Sequence, residues 1–260
     1  MRTIAEIQTA LKTASAAELP ALEADLADDP RKGVQKALEA AKRRIEREEQ
    51  ERARLEELYA FERELAGGKV IVGLDEVGRG PLAGPLSVGA VVLDPNAALL
   101  DGLNDSKQIP EAKRGPLADA VKRSARAYAV VHIPPQDIDE FGIMACLKHA
   151  FSEAIAQVES QGVEVGVVLL DGNPLGIDPR EINVVKGDAR CASIAAASVI
   201  AKVERDGMMV EYDAQYPGYD FASSKGYGSA RHREAIAQHG LTPIHRVSYC
   251  SSFFQPTLFS

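Results

Sequence analysis

Four acidic residues stand at or just beyond the ends of segments that are typical of buried strands, and together they suggest metal-dependent hydrolysis. They are Asp75 with its neighbour Glu76, then Asp171, then Asp188. Strand ends in a mixed sheet converge on one crevice, so these acids are predicted to lie together. Clustered carboxylates repel one another unless a cation sits among them. Two Mg²⁺ or Mn²⁺ ions, which prefer oxygen ligands, would meet that need and support in-line cleavage of a phosphodiester.

Each acid also has a structural alternative. Asp171 opens an Asp-Gly-Asn-Pro sequence that is typical of a turn. Asp188 stands where an N-cap is expected for a helix over 190–206. Asp75 and Glu76 are adjacent, and neighbours on a regular strand point to opposite faces. We therefore expect the strand to end or bulge there if both carboxylates serve one site.

The elements that would position these acids follow from hydrophobic periodicity. The predicted strands cover 70–74, 86–93, 128–133, 165–170 and 182–185, and the predicted helices cover 111–126, 136–161 and 190–206. Three strands close in sequence, then two that alternate with helices, predict an α/β fold: a mixed five-stranded sheet flanked by helices.

Residues 1–66 have a different, helical character. Apolar residues recur at helical spacing from Ile4 and again from Leu19, Pro30 marks a stop, and a long amphipathic helix is predicted to follow. Nine Lys or Arg against five Glu between 31 and 54 favour a solvated helix face on charge alone. With Gly67-Gly68 as a hinge, we predict an extension at 1–68, a catalytic domain at 69–249 and a tail at 250–260.

Composition narrows the class of protein. The chain has 260 residues, 45% of them hydrophobic, and contains no apolar run long enough to span a bilayer. Its N-terminus does not resemble a signal peptide. Three widely spaced cysteines, Cys146, Cys191 and Cys250, favour reduced thiols over a disulfide framework or a zinc site. These features predict a cytoplasmic protein, and we expect a monomer. The net charge of −8 argues against phosphate binding, but carboxylates that hold cations add negative charge which bound metal reverses.

A glycine-rich stretch follows the first two acids. It lacks the lysine and the helix of a P-loop, and taken alone it is a turn between two strands. Together with the acids, however, residues 73–85 (GLDEVGRGPLAGP) resemble the signature of bacterial ribonuclease HII. The resemblance continues in the family's order through further blocks, and it covers about residues 69–249. These blocks are Asn104–Lys107, Leu170–Gly172, Lys186–Asp188, Ser193–Asp206, Ser224–Gly228, His232 and His245-Arg246.

The resemblance implies a ribonuclease H-type fold and cleavage of RNA in RNA–DNA hybrids. It also implies incision 5′ of a single ribonucleotide in duplex DNA, which leaves a 3′-hydroxyl and a 5′-phosphate. By the same resemblance, the four acids are the metal ligands. The other positions that match the family pattern are Gly78, Arg79 and Gly80, which grip the ribose 2′-OH and adjacent phosphates, Tyr227, which stacks on the following sugar, and Lys107 and Lys225, which contact phosphates.

The two ends of the chain lie outside this resemblance. The N-terminal extension is predicted to contact flanking duplex through a set of basic residues: Arg31, Lys32, Lys36, Lys42, Arg43 and Arg44. The tail contains Gln255, Leu258 and Phe259 in a Q-x-x-L-F pattern that is similar to peptides which dock on the bacterial sliding clamp. In the alternative interpretation, Phe253-Phe254 packs the tail on its own domain.

Two other functions fit parts of the sequence. A ribonuclease HIII-like enzyme would cleave hybrids without cutting at a single ribonucleotide. That family carries a β-rich N-terminal domain, whereas residues 1–66 have a helical pattern. A non-catalytic hybrid-binding module is the second alternative, and the presence of all four acids argues against it.

Overall fold

The computed structural model describes residues 2–94 and 97–253. By its internal contacts the chain divides into two compact units, Met1–Glu56 and Glu57–Ser260. No helix within the described ranges is long and apolar enough to cross a membrane.

The first unit is a small helical assembly. Helices α1 (Ile4–Thr13) and α2 (Leu19–Leu26) precede α3 (Lys32–Ala66), which begins in this unit and continues into the second. The Thr3 side chain accepts a hydrogen bond from the Glu6 amide while the Glu6 side chain bonds back to Thr3, a capping box that starts α1. The predicted apolar stripes form its core, which contains Ile7, Leu11, Leu26, Val34, Leu38 and Ala41. The predicted helical character of this region is confirmed.

The second unit contains one mixed sheet with helices packed against it. Its strands are β1 (Ile71–Val77), β2 (Leu86–Leu93), β3 (Ala125–Ile133), β4 (Val167–Asp171) and β5 (Glu181–Val184). Its further helices are α4 (Glu111–Ser124), α5 (Pro135–Phe141), α6 (Ile143–Ser160), α7 (Ala192–Gln215), α8 (Phe221–Ser224) and α9 (Ala230–His239). The strand order is β3-β2-β1-β4-β5, with β1, β4 and β5 mutually parallel and β2 antiparallel to both of its neighbours. The predicted five-stranded α/β architecture is confirmed.

Several element boundaries differ from the prediction for local reasons. The helix predicted over 136–161 is divided at Gly142, whose φ of 80° lies in the left-handed region and ends α5 before α6 begins. The helix predicted over 190–206 continues to Gln215, because fully buried Met209 gives it an apolar anchor beyond Gly207. Strand β1 also runs three residues past its predicted end, from Leu74 to Val77.

Helix α7 crosses the sheet at unusually short range, and two glycines make that approach possible. A Cβ atom on Gly73 of β1 would lie 2.3 Å from the Ser193 hydroxyl and 2.4 Å from the Ile194 amide nitrogen. A Cβ on Gly89 of β2 would lie 2.4 Å from the Ala197 carbonyl oxygen. Because backbone atoms cannot yield to a side chain, only glycine fits at these positions. The N-terminal half of α7 is therefore fixed directly against the centre of the sheet.

Candidate active site

The parallel strands bring three of the predicted acids to one edge of the sheet. Leu74 of β1 pairs with Leu170 of β4, so the next residues, Asp75 and Asp171, are neighbours across the two strands. Asp171 in turn pairs with Val184, and the chain after β5 reaches Asp188 within a few residues. The carboxyl ends of parallel strands lie on the same side, as the sequence analysis expects.

Asp75 and Glu76 reach this edge from a strand that neither ends nor bulges. Their pairing with Gly89 and Val88 of β2 is regular through Val77, so the expected break in the strand is wrong. Asp75 lies on the α7 face, where it forms a hydrogen bond with the Ser198 side chain. Glu76 lies on the opposite face, and its Oε1 is 3.6 Å from Nη1 of Arg79. Each carboxylate nevertheless interacts electrostatically with Asp171, because both stand at the rim of the sheet.

The acids at this edge carry more negative charge than their surroundings neutralise. Burial raises the pKa of the Asp75 carboxyl to about 7. The hydrogen bond with Ser198 opposes this shift, and the nearby charges of Glu76, Asp171 and Asp188 add to it. Burial also raises the pKa of Glu76, although Arg79 opposes this shift. A site that makes carboxylates hard to ionise is suited to an additional cation.

The local structure around Asp171 and Asp188 bears on the capping alternative for Asp188. The Gly187 amide donates a 2.6 Å hydrogen bond to Oδ1 of Asp171, which ties the turn carrying Asp188 to the end of β4. Asp188 itself lies in a 3-10 turn over 187–189 and is not the N-cap of α7, a position that Cys191 occupies. The capping interpretation of Asp188 is therefore wrong; its carboxylate instead accepts a hydrogen bond from the Ala189 amide.

The cap of α7 comes from a distant residue that the sequence analysis missed. Glu62, in the last turns of α3, accepts hydrogen bonds from the Ser193 amide at 2.7 Å and the Ser193 hydroxyl at 2.9 Å. Burial raises the pKa of this carboxyl, while the Ser193 and Ala192 hydrogen bonds oppose the shift. Glu62 thus satisfies amide groups at the start of the helix that carries Ser198.

Lys107 and a fifth carboxylate, Asp105, lie beside three of the acids, Asp75, Asp171 and Asp188. The charges of Asp105, Asp75, Asp188 and Asp171 raise the pKa of the Lys107 ammonium against the effect of its burial. Asp105 also raises the pKa of Asp188, second to burial. The family resemblance predicts a phosphate contact for Lys107 and no role for Asp105, although both residues lie in the block Asn104–Lys107 that carries the resemblance.

The glycine-rich segment after β1 is held from beneath by a buried arginine. Arg246, which is fully buried, donates hydrogen bonds to the carbonyl oxygens of Gly78, Arg79 and Gly84 at 2.5 to 3.1 Å. In a trans peptide the carbonyl of one residue and the amide N–H of the next point in opposite directions. The amides of Arg79 and Gly80 therefore point away from Arg246, toward the outer surface of the segment.

A second buried arginine joins this segment to the loop that contains Tyr227. Arg205 of α7 donates to the carbonyl oxygens of Pro85, Ala83 and Lys225 at 2.8, 3.3 and 3.0 Å. A Cβ on Gly78, whose φ is +84°, would lie 2.1 Å from Nε of this arginine, so glycine is required there. Desolvation lowers the pKa of Arg205 to about 10, which still leaves it charged at neutral pH.

Tyr227 lies next to the glycine-rich segment with half of its surface exposed. A Cβ on Gly80 would be 3.9 Å from Cε1 of the Tyr227 ring, and the Leu82 amide donates a 2.9 Å hydrogen bond to the Gly226 carbonyl. The Lys225 ammonium donates a hydrogen bond to the carbonyl of Ala222 at its own helix end. The segment and Tyr227 thus form one continuous surface.

Family models match nearly the whole chain. The model for ribonuclease HII matches residues 72–252, and the model for the ribonuclease HII N-terminal domain matches residues 3–66. The chain belongs to the ribonuclease HII family. It is a ribonuclease H type II enzyme, an endoribonuclease that acts on RNA–DNA hybrids, and the family assignment disfavours the ribonuclease HIII alternative.

Solved structures of ribonuclease HII and HIII enzymes share this fold. The ribonuclease H2 from Pyrococcus horikoshii OT3 is 26% identical, with 72% of this chain and 100% of that chain covered and a TM-score of 0.61. The ribonuclease HII of Archaeoglobus fulgidus, solved in complex with PCNA, is 25% identical over 72% of this chain and 98% of that one, with a TM-score of 0.60. Bst-RNase HIII, solved with Mn²⁺, is 19% identical over 71% and 69%, with a TM-score of 0.60, and shows the fold alone.

In this ribonuclease HII, the acids are near one another but are not arranged as a closed metal cage. Within residues 2–94 and 97–253, no group of three or more His, Cys, Asp or Glu side chains is placed to hold a metal ion. The three cysteines are free and buried. The donor set at the sheet edge is nonetheless all oxygen, strongly acidic and short of positive charge, which fits hard divalent cations.

Proposed function

We propose that this enzyme incises duplex DNA on the 5′ side of a single ribonucleotide, in addition to cleaving RNA in hybrids. The observation that carries the proposal is one continuous surface, on which the acidic sheet edge adjoins the outward-facing amides of Arg79 and Gly80 and the half-exposed ring of Tyr227. The acids supply a place for cleavage, and the amides and the ring supply probes for one sugar.

Asp75, Glu76, Asp171 and Asp188 would hold two divalent ions, Mn²⁺ or Mg²⁺. When bound, such ions supply activation of the attacking water and neutralisation of charge at the leaving oxygen. The raised pKa of the buried Asp75 carboxyl supports this assignment, because its ionised form needs a compensating charge. Ser198 orients Asp75, and the Gly187 amide orients Asp171, so both carboxylates are held in fixed positions.

Selection of the ribonucleotide would depend on the glycine-rich segment and Tyr227. The 2′-OH is the group that distinguishes RNA from DNA at a given position, so a reader needs donors and acceptors aimed at it. The amides of Arg79 and Gly80 are donors held in place by Arg246. The Tyr227 ring beside Gly80 offers a flat surface against the next sugar. Lys107, next to the acids, is the better placed of the two lysines to contact a phosphate.

One assay tests this proposal. The substrate is a DNA duplex with a single ribonucleotide, incubated with Mg²⁺ or Mn²⁺, and the comparison is wild type against Asp171→Asn. We expect 5′ incision by wild type and a loss of at least about 100-fold in the variant. Asp119→Asn, at an exposed carboxylate on α4, is the matched control and should keep full activity. Wild type that cleaves long hybrids but leaves the single ribonucleotide intact would overturn the proposal.

The N-terminal unit is proposed to bind duplex DNA that flanks the cleavage site. Of the basic residues predicted for this role, Arg31, Lys42 and Arg44 are engaged with Asp29, Glu23 and Glu48. A basic groove of about 600 Å³ between α1 and α3 offers cations to phosphates: it is lined by Lys36 and Arg44 of the predicted set and, in addition, by Lys12 and Arg47. Exposed basic groups of this kind bind the DNA backbone in a salt-dependent way.

Neutralising this groove tests that role without removing any part of the fold. The variant Lys36→Gln/Arg47→Gln should weaken duplex binding and make its dependence on salt less steep. Lys42→Gln, at a lysine that is paired with Glu23, is the control and should have a smaller effect. Equal affinities and equal salt slopes for both variants and wild type would contradict the proposal.

Docking on a sliding clamp through Gln255, Leu258 and Phe259 remains a proposal, because these residues lie outside the described part of the chain. One relative, the Archaeoglobus fulgidus enzyme, was solved in complex with PCNA. Deletion of 255–260 should abolish co-elution with the clamp and leave cleavage of a naked oligonucleotide unchanged. Co-elution that survives the deletion would exclude this peptide as the contact.

A further inference from the structure

A chain of hydrogen bonds runs through two buried histidines and ends on the backbone of Tyr227. Nδ1 of His232 lies 2.8 Å from the Tyr227 carbonyl oxygen, and Nε2 of His232 lies 3.0 Å from Nε2 of His245. At the far end, the Thr242 amide lies 2.9 Å from Nδ1 of His245. The proposed chemistry assigns no role to either histidine.

The two ends of this chain fix the direction of every hydrogen bond in it. The Tyr227 carbonyl can only accept, so Nδ1 of His232 carries a proton and its Nε2 is free to accept. The Thr242 amide can only donate, so Nδ1 of His245 accepts and its Nε2 carries the proton. The central bond must therefore run from His245 to His232, and both ends independently require this arrangement.

The surroundings of the two rings keep them in this neutral, ordered state. His232 is fully buried and His245 is 3% exposed. The ring of Phe221 packs edge-on against His232 at a centroid distance of 5.1 Å, and that of Tyr219 packs edge-on against His245 at 5.4 Å. A second proton on His232 would place two N–H groups against each other in the central bond, and one on His245 would place its Nδ1–H against the Thr242 amide.

The series of hydrogen bonds through the two histidines ends at the Tyr227 carbonyl, which controls where the Tyr227 ring lies. The Tyr227 carbonyl accepts from the Ser229 amide at 2.8 Å as well as from His232, so both of its lone pairs are used. The Tyr227 amide in turn donates to Ser224. The backbone of this residue is thus held on both sides while its ring is half exposed beside Gly80.

We propose that His232 and His245 are positioning residues that act through the Tyr227 carbonyl to hold the Tyr227 ring against the glycine-rich segment. This arrangement makes the two histidines determinants of selectivity for a single ribonucleotide over a continuous hybrid. The inference rests on the proposed function, because it assumes that the Tyr227 ring senses the sugar that follows the ribonucleotide.

Asparagine and glutamine test this role, because their amides imitate different nitrogens of histidine. The Asn amide reaches the position of Nδ1, whereas the Gln amide reaches the position of Nε2. His232→Asn should keep the donor to Tyr227 and His232→Gln should lose it. At His245 the order reverses, because there Gln keeps the donor to His232 and Asn does not. If the histidines had a merely structural role, the same amide, Asn or Gln, would be the better substitute at both positions.

The readout is the ratio of kcat/KM for a duplex with one ribonucleotide to kcat/KM for an uninterrupted RNA–DNA hybrid. We expect His232→Gln and His245→Asn to lower this ratio by about tenfold, as the loss of one hydrogen bond of about 1.4 kcal/mol would do. His232→Asn and His245→Gln should stay within about twofold of wild type. The proposal would be overturned if the same amide, Asn or Gln, gave the higher ratio at both positions, or if all four variants left the ratio unchanged.

A second measurement shows whether the effect passes through Tyr227. In a Tyr227→Ala background, His232→Gln should lower the ratio no further, because the ring that it positions is absent. A full additional loss would mean that the histidine acts elsewhere. Wild type that does not incise the single ribonucleotide contradicts the proposed function itself, and this outcome is visible before any variant is made.

Discussion

Nη2 of Arg246 lies 2.5 Å from the carbonyl oxygen of Gly78, although 168 residues separate the two in the chain. The contact turns the glycine-rich segment so that its carbonyls face the interior and the amides of Arg79 and Gly80 face outward. A buried cation thereby shapes a surface that it does not itself touch. The outward orientation of the amides in the motif around Gly78 therefore depends on Arg246, a residue near the other end of the domain.

Substitution of Arg246 should therefore affect both stability and substrate binding. Arg246→Met leaves the carbonyls of Gly78, Arg79 and Gly84 without their donor, so we expect a loss of about 3 kcal/mol in the free energy of unfolding and a raised KM. Urea denaturation and steady-state kinetics measure the two effects. Arg126→Met, at an exposed arginine of β3, is the control and should change stability by no more than about 0.5 kcal/mol. Equal stability of the two variants would contradict this account of the segment.

The close approach of α7 to the sheet predicts a strong effect of a single methyl group. Gly89→Ala would place its Cβ 2.4 Å from the Ala197 carbonyl oxygen, so α7 must move. We expect a loss of about 1 to 3 kcal/mol in stability, together with reduced activity, because α7 carries the Ser198 partner of Asp75. Gly207→Ala in α7, where a Cβ meets nothing within 4 Å, should instead raise stability by about 0.5 to 1 kcal/mol. Unfolding curves that place both variants on the same side of wild type would refute this difference.

Removal of the long-range cap should destabilise α7. Glu62→Ala takes away the acceptor of the Ser193 amide and hydroxyl, and we expect it to cost about 1 to 2 kcal/mol of stability. Glu57→Ala, at an exposed position on the same helix, serves as the control for lost helix propensity and charge. Thermal and urea unfolding compare them, and no difference between the two would mean that Glu62 is not a cap in solution.

The paired histidines predict a loss of stability in mild acid. Burial lowers the pKa of His232 from its usual 6.5, and burial together with His232 lowers that of His245 to about 4. The unfolded chain then takes up protons more readily than the folded one, so this contribution to stability is complete above about pH 6.5 and is lost as the pH falls toward about 4. The charged or titratable groups near the pair are Asp220, Tyr219 and His239, and the charge of Asp220 partly opposes the shift of His232.

Urea unfolding between pH 7.5 and pH 4.5 measures this effect. A His232→Asn/His245→Gln variant lacks both imidazoles and should lose less stability than wild type over the same interval. His149→Gln, at an exposed histidine of α6, should keep the wild-type dependence on pH. Identical slopes for all three proteins would show that the pair is not kept neutral by the fold.

The sequence was informative about what is local and what repeats. The five strands, the helical N-terminal region and the four acids at strand ends follow from periodicity and from residue type. The roles of Glu62, Arg205 and Arg246 could not be predicted from spacing, because each depends on a contact between residues that are far apart in the chain. A fully buried arginine looks like any surface arginine in a sequence, until the carbonyl groups that it serves are known.

The position of Glu76 was misjudged for a related reason. Alternation along a strand correctly places Asp75 and Glu76 on opposite faces. It does not say that the sheet stops beside them, so that a carboxylate on either face can interact with Asp171 at the rim. The expected end or bulge of the strand is therefore not needed, because β1 pairs with β4 only up to Leu74 and both carboxylates stand beside Asp171 at that point.

Glu62 also bears on how members of this family can exchange parts. Helix α3 begins in the N-terminal unit, but its last turns pack in the second unit, where they contribute Ala66 to the core and Glu62 to the start of α7. A chimera that joins a foreign N-terminal region at Gly67-Gly68 would replace Glu62 with a residue that is not matched to Ser193 at the start of α7. A junction after Glu56 keeps the native partner, so the natural seam for recombination lies inside a helix and not at the glycines that follow it.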